Sequence, residues 1–203
     1  MPRTRSEAKR KAILKAAAKV FAQKGYHPAT VADLADEVGM GLGTFYRYFK
    51  NKLDVFHAVI DEVLLEVSQM VASEQPTESR SLSEYRAQVE RLGMGLFRAF
   101  DQNRQLARLL FTEAPGIDAE LNTKLREAMV LFGQLTQAYL ENGVARGFLR
   151  ADLDTETTAL AVNATIFEGV RQVAIAQDAE AGRQRWSKAV IEMMFSGIAA
   201  PTH

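Results

Sequence analysis

Residues 30–52 read TVADLADEVGMGLGTFYRYFKNK, and the fold is decided in this stretch. Thr30, with Asp33 three positions on, is a helix N-terminus signature: a side-chain oxygen ahead of the first turn and an acid inside it. Val31, Leu34, Ala35 and Val38 recur at three- and four-residue spacing and give a short helix one apolar stripe. Gly39 ends that helix. A second short helix is predicted over about Gly41–Tyr48 after a turn of a few residues, with Phe45 and Phe49, four apart, pointing into the domain core. Asn51, with Asp54 at the third position, opens the next helix. Two short helices across a glycine-containing turn make a helix-turn-helix, whose second helix lies in the major groove of DNA.

The residue types on that second helix suit the task. Gly41 and Gly43 keep the surface low, so the backbone can come close to a duplex. Thr44 carries a hydroxyl and a methyl for a base or a phosphate, and Leu42 can touch only a thymine methyl. Tyr46, Arg47, Tyr48, Lys50 and Lys52 form a basic, hydroxyl-bearing set matched to phosphate oxygens.

Upstream, Ile13, Ala17, Val20 and Phe21 define a first helix over about Ser6–Gln23, with Thr4 and Glu7 at capping-box spacing and Gly25 as its stop. Lys11, Lys15 and Lys19 line up on a solvated face, and Arg3 and Arg5 are candidates for a minor-groove arm. Residues 1–53 hold 11 Lys/Arg against four Asp/Glu, a net of +7, while the rest of the chain is −7 and the total is zero. A basic head on an acidic body suggests that one end meets a polyanion.

Residues 9–63 resemble the TetR family of regulators. The matching runs are ILKAA (13–17), FAQKGY (21–26), TVADLA (30–35) and VGMGLGTFYRYFKNK (38–52), with Gly43–Lys52 the most specific. The resemblance implies phosphate contacts at Tyr46 and Lys52, DNA contacts at Thr30, Thr44 and Tyr48, a C-terminal dimer and a small-molecule sensor. Leu42 departs from the polar or basic residue that many members carry there.

Downstream, helices are predicted over about 51–72, 81–103, 105–113, 118–142, 154–176 and 181–198, with a loop at Ser73–Arg80 and a break at Gly147-Phe148-Leu149. The expectation is an all-α chain of about nine helices, with a three-helix DNA-binding head (1–53) and a ligand-sensing, dimerising body (54–203). The last helix is expected to be apolar all round, and so to face a second subunit. Leu160, Ala164, Phe167, Trp186, Val190, Met194 and Ile198 are the candidate dimer residues. Such a homodimer sets two recognition helices about 34–36 Å apart, one turn of a palindromic operator. Phe97, Phe100, Phe111, Met129, Phe132, Tyr139 and Phe167 are candidate pocket residues, and their character favours a largely apolar effector. Leu96–Gly116 faintly resembles members that respond to lipids or acyl thioesters. Arg98, Arg104, Arg108 and Arg171 are read as surface ion-pair partners, with an acidic headgroup the alternative.

Catalysis, metal and cofactor find no support. His27, His57 and His203 stand far apart, and HExxH, GxSxG and a Walker loop are absent. Cysteine is absent, which removes disulfides and thiol chemistry and fits a reducing cytoplasm. The longest uncharged run, Ala128–Leu140, falls short of the roughly 18–20 residues of a membrane span. Asn163-Ala164-Thr165 matches a glycosylation sequon by chance, inside a predicted helix. The expected function is a DNA-binding transcriptional regulator, a repressor released by its effector; the alternative is an effector-independent DNA-binding protein.

Overall fold

The computed structural model describes residues 2–101, 107, 109–176 and 178–198, and their side chains except at 2–5, 101, 112–113, 175 and 196–198. Among the described residues the chain is all-helical, with no strand. The α-helices are α1 (Pro2–Lys24), α2 (Val31–Val38), α3 (Leu42–Phe45), α4 (Lys52–Ala72), α5 (Leu82–Asp101), α6 (Ala119–Ala145), α7 (Thr155–Ile175) and α8 (Ala179–Ile198). A π-helical turn at Leu109–Glu113 stands between α5 and α6.

Two compact units result: Met1–Glu66 with Gln105–Asn122, and Val67–Arg104 with Thr123–His203. The functional division expected at 53/54 lies inside the first unit, because α4 packs with the head as far as Glu66.

In the first unit, Ile13, Leu14, Phe21, Leu34, Phe45 and Phe56 are fully buried. Phe21 meets Phe56 edge-on, with centroids 5.2 Å apart. Asn51 caps α4 as predicted, with Asp54 N–H donating to Asn51 Oδ1 (2.8 Å), and Asp118 caps α6, with Leu121 N–H donating to Asp118 Oδ1 (2.6 Å). His57 on α4 is buried, with Nε2 2.8 Å from Asp118 Oδ2 and Nδ1 3.5 Å from Glu120 Oε1.

Two local expectations change. The first helix begins at Pro2, not Ser6; proline suits a first helical turn, and nothing before Ser6 breaks the helix. Arg3 and Arg5 therefore stand in a helical turn rather than an extended arm, and their side chains lie outside the described residues. The predicted 105–113 helix is described at Leu109–Glu113 as a single π turn, where Ala114 N–H bonds to Leu109 O (2.8 Å).

In the second unit a core gathers Tyr85, Leu140, Leu149, Ala159, Val162 and Met194 from α5, α6, α7, α8 and the loop after α6. The last helix is not apolar all round. Met194 is buried, Trp186, Val190 and Phe195 are half-buried, and Lys188, Glu192 and Met193 are exposed. α8 packs on α7 at Gly169, where any side chain would collide with the indole edge of Trp186.

Candidate nucleic-acid interface and internal cavity

The outward face of α3 is built by its turn. Gly39 takes φ 73°, ψ 40°, a left-handed conformation that suits glycine. Its N–H bonds to Asp36 O (3.0 Å), and Met40 N–H to Ala35 O (3.0 Å). This closes α2 and reverses the chain in three residues. Regular α3 is shorter than predicted. After Phe45, Arg47 and Tyr48 bond back only three residues, to Thr44 O and Phe45 O, so the helix tightens into turns.

Phe45 and Phe49 point inward as a pair, with centroids 6.1 Å apart, and the guanidinium of Arg10 lies over the Phe49 ring. Their burial fixes which residues face out. Gly41, Leu42, Gly43, Tyr46, Arg47 and Lys50 are exposed, and Thr44 and Tyr48 are half-buried. Leu42 is 47% exposed and Tyr46 54%. Gly41 has an ordinary φ of −71°, and a methyl at either Gly41 or Gly43 would meet nothing within 4 Å. At Gly41 neither strain nor packing requires glycine, so its value lies in what approaches from outside.

Two predicted DNA residues have internal work. The Thr30 hydroxyl donates to Asp33 Oδ2 (2.9 Å) and accepts from Asp33 N–H (3.2 Å), while Thr30 N–H donates to the same carboxylate (2.9 Å). Hydrogen bonding from Lys24, then from Thr30, holds the Asp33 carboxyl down at about 2. Lys52 Nζ donates to the carbonyls of Tyr26 (2.7 Å) and His27 (2.9 Å) and lies 4.4 Å from the Tyr26 ring centroid. It ties the start of α4 to the α1–α2 link. Lys19 of the lysine stripe pairs with Glu37 at 2.6 Å.

The second unit encloses a cavity of about 80 Å3 whose wall includes Phe132, Tyr139 and Phe167 together with Leu96, Val162 and Asn163. Phe132 and Phe167 pack with centroids 5.7 Å apart. Burial pushes the Tyr139 phenol up to about 12, and its O–H donates to Glu74 O (2.8 Å). A groove of about 420 Å3 between α5 and α8 includes Phe97, Val190 and Trp186. Val89, Gly93, Ile166 and Met194 belong to both walls. Of the predicted pocket residues, Phe100, Phe111 and Met129 line neither space.

The predicted dimer residues divide. Leu160 is 57% exposed and Ala164 is exposed. Phe167 faces the cavity and Trp186 packs on Gly169. Val190 is half-buried and lines the groove. Met194 is buried in its own protomer's core, so it is a core residue, and the Ile198 side chain lies outside the described residues. Arg171 pairs with Glu168 at 2.6 Å, and Arg98 Nε donates to Met94 O; Arg104 and Arg108 lie outside the described residues. The sequence marks Asn163 only as part of a chance sequon and gives it no place in the cavity wall. Its signal was a polar residue on the inward stripe of α7, level with Ala159, Val162 and Ile166.

A short helix held outward by two buried phenylalanines, across a glycine turn and on a basic head, defines a helix-turn-helix DNA-binding protein. Residues 13–59 match the family described as "Bacterial regulatory proteins, tetR family". The chain is 25% identical over 189 residues to the fatty acid metabolism regulator protein of Bacillus subtilis, covering 92% of this chain and 93% of that one. It is 28% identical to the transcriptional repressor KstR2 of Rhodococcus jostii, covering 80% and 78%. The crystal structure of the regulator FadR from Bacillus subtilis in complex with stearoyl-CoA superimposes with a TM-score of 0.77 at 25% identity, over 93% of this chain and 98% of that one. The head is thus a TetR-type DNA-binding domain, the chain is similar over most of its length to regulators that carry one, and the protein is a DNA-binding transcriptional regulator. Among its described residues no helix is long and apolar enough to cross a membrane.

Proposed function

We propose that the protein is a homodimeric repressor that grips a palindromic operator and is released from it by a largely apolar effector, with a long-chain acyl thioester the first compound to test. The observation that carries this reading is the internal cavity walled by Phe132, Tyr139 and Phe167 in a unit separate from the DNA-binding head. Space left beside aromatic side chains costs packing energy, and a ligand that fills it restores that energy. The relatives point the same way: one regulates fatty acid metabolism, one is a repressor, and one has been crystallised with stearoyl-CoA.

Leu42, Gly43, Tyr46, Arg47 and Lys50 are the side of the head offered to DNA, with Thr44 and Tyr48 at its edge. Thr30 and Lys52 shape that surface from behind. The dimer reading rests on exposed apolar side chains that a lone protomer has no use for: Leu160 and Ala164 on α7, with Val130 and Leu131 on α6. Leu160 lies 3.5 Å from where a Gly133 methyl would stand, so the two helices meet at that surface. α4 carries the message. It starts at the Asn51 cap beside the recognition turn, and its Val71 lines the cavity wall. A ligand that moves Val71 biases the helix, and the two heads lose their common spacing.

Selection of bound sequences from random duplex DNA tests the DNA half, with half-sites expected about one helical turn apart. Stearoyl-CoA added to the purified protein on its selected operator tests the other half. Release at micromolar concentration is the expected result. Operator affinity that no apolar compound changes would leave an effector-independent DNA-binding protein.

A further inference from the structure

We infer that Asn163 is a specificity-determining residue of the effector site: its side-chain amide takes a carbonyl oxygen on the buried, apolar part of the ligand. The inference rests on the proposal that the cavity holds the effector. Asn163 is 9% exposed and lies on the cavity wall. One end of its amide is used, because the Thr136 hydroxyl donates to Oδ1 at 2.8 Å. The other end, Nδ2, is fully buried and has no partner. A buried N–H donor left unmade is costly, and natural proteins keep few of them.

The surroundings say what would complete it. Phe132, Leu135, Val162, Ile166 and Phe167 wall the same space and offer no side-chain acceptor. The Tyr85, Thr136 and Tyr139 hydroxyls reach the same wall, and none of them bonds to Nδ2. A hydrocarbon filling this cavity would leave Nδ2 unsatisfied for as long as it stayed bound. A chain or ring carrying a carbonyl would fill the space and accept the bond. Donor-only chemistry at this end of the amide excludes an ammonium. The surrounding apolar wall disfavours an ionised carboxylate, which would have to shed its water here.

Access is provided at Gly93. It lies on the wall shared by the cavity and the outer groove, in the middle of α5, and a methyl there would meet nothing within 4 Å. Met194, an unbranched and adaptable side chain, stands on the same wall. A ligand longer than the cavity therefore has its continuation in the groove, whose polar lining is the ion pairs Arg86–Glu90 and Lys188–Glu192.

Thioesters and ketones share this chemistry, and matched probes separate them. Stearoyl-CoA is paired with S-octadecyl-CoA, in which the carbonyl is replaced by a methylene. Cyclohexanone is paired with methylenecyclohexane. The readout is the ratio of dissociation constants within each pair, native protein against Asn163→Leu, so that differences in water solubility cancel. In at least one pair the preference for the carbonyl compound should fall by about five- to tenfold in the variant, the size of one buried hydrogen bond. Asn163→Ala provides the same comparison should Asn163→Leu fail to fold. Ratios unchanged in both pairs, or no binding by any of the four probes, overturn the inference. A ketone preference lost in the variant, with neither thio compound bound, supports the inference and removes the acyl thioester from the proposed function.

Discussion

The head and the body treat their polar groups in opposite ways, and Gly39 and Gly93 serve them differently. In the head, Thr30, Asp33 and Lys24 close a ring of hydrogen bonds, Asn51 and Asp54 cap α4 between them, and Lys52 is fastened to two carbonyls. Gly39 is there for its φ of 73°. In the body, an amide nitrogen of Asn163 and an indole nitrogen of Trp186 are buried without partners, and Gly93 borders empty space. A rigid probe needs every local group committed to one geometry. A sensor needs a place where something is missing. The contrast therefore teaches which unit is finished when folded and which is completed by a ligand.

The harshest way to break this contrast is a charge in the body's core. Met194 is 5% exposed and packs with Tyr85, Leu140 and Val162. Met194→Asp should cost more than about 4 kcal/mol, because it leaves a cavity and an unpaired charge in an apolar place. Circular dichroism and thermal melting should show loss of the folded body. Leu160→Asp, at a residue 57% exposed, should leave the fold intact and weaken only the proposed dimer, read by sedimentation. A stable, monomeric Met194→Asp protein would mean that Met194 sits in a subunit seam after all.

A sharper comparison sets Lys52 against Tyr46. Lys52→Met removes two charge-assisted bonds to the Tyr26 and His27 carbonyls. It should destabilise the head by about 1–2 kcal/mol. If Lys52 acts through shape, the slope of log affinity against log salt should stay constant, whereas a lost phosphate contact lowers that slope by about 0.9. Tyr46→Phe removes a hydroxyl from a side chain 54% exposed. Its expected effect is a uniform loss of about 0.5–1.5 kcal/mol across all duplexes, with thermal stability unchanged. A selective change in base preference would instead make Tyr46 a base reader.

How much of this was legible in the sequence follows from how far each interaction reaches. The caps at Thr30 and Asn51 close within three residues, so residue type and spacing were enough. The glycine turn and the inward Phe45–Phe49 pair are equally local. The body is held by contacts that spacing cannot show. Thr136 meets Asn163 across 27 residues, Tyr139 meets Glu74 across 65, and Trp186 meets Gly169 between two helices. Composition made α8 look apolar on every side because it cannot tell buried Met194 from exposed Met193. The end of regular α3 at Phe45 was also beyond reach, since a switch from four-residue to three-residue hydrogen bonds leaves no mark in residue type.

Glycine substitutions bring the two units into one measurement. Gly39→Ala forces a side chain into the left-handed region and should cost about 1–2 kcal/mol, with loss of operator affinity as the turn before α3 shifts. Gly93→Ala has an open site and no unusual φ. It should raise stability by about 0.4–1 kcal/mol by restricting the unfolded chain and removing a glycine from mid-helix. The same methyl enters the wall between cavity and groove, so effector binding should weaken as stability rises. Opposite signs from the same chemical change would confirm that one glycine is kept for conformation and the other for space.

The smallest effect concerns pH and separates the head from the body in the acid range. The Asp33 carboxyl, held at about 2 by Lys24 and Thr30, has its ordinary value of 3.8 when the chain unfolds. A group whose pKa is depressed by folding stabilises the folded form at pH above the unfolded value, and that contribution is lost as pH falls through the folded value. The Asp33 contribution should therefore be constant from neutrality to about pH 5, and should disappear progressively between there and about pH 2. The Asp33 side chain is 27% exposed and its partner Lys24 50%, so salt screens the effect and it remains small. Glu168, held at about 2 chiefly by Arg171, gives the body a matching term in the same window. In Asp33→Asn the acid-range loss of head stability should shrink while the Glu168 term persists, as followed by amide resonances of α2 and α7 during an acid titration. Equal flattening in both units would show that the head and body unfold together, and that the division between a finished probe and an unfinished sensor has no counterpart in how cooperatively each one folds.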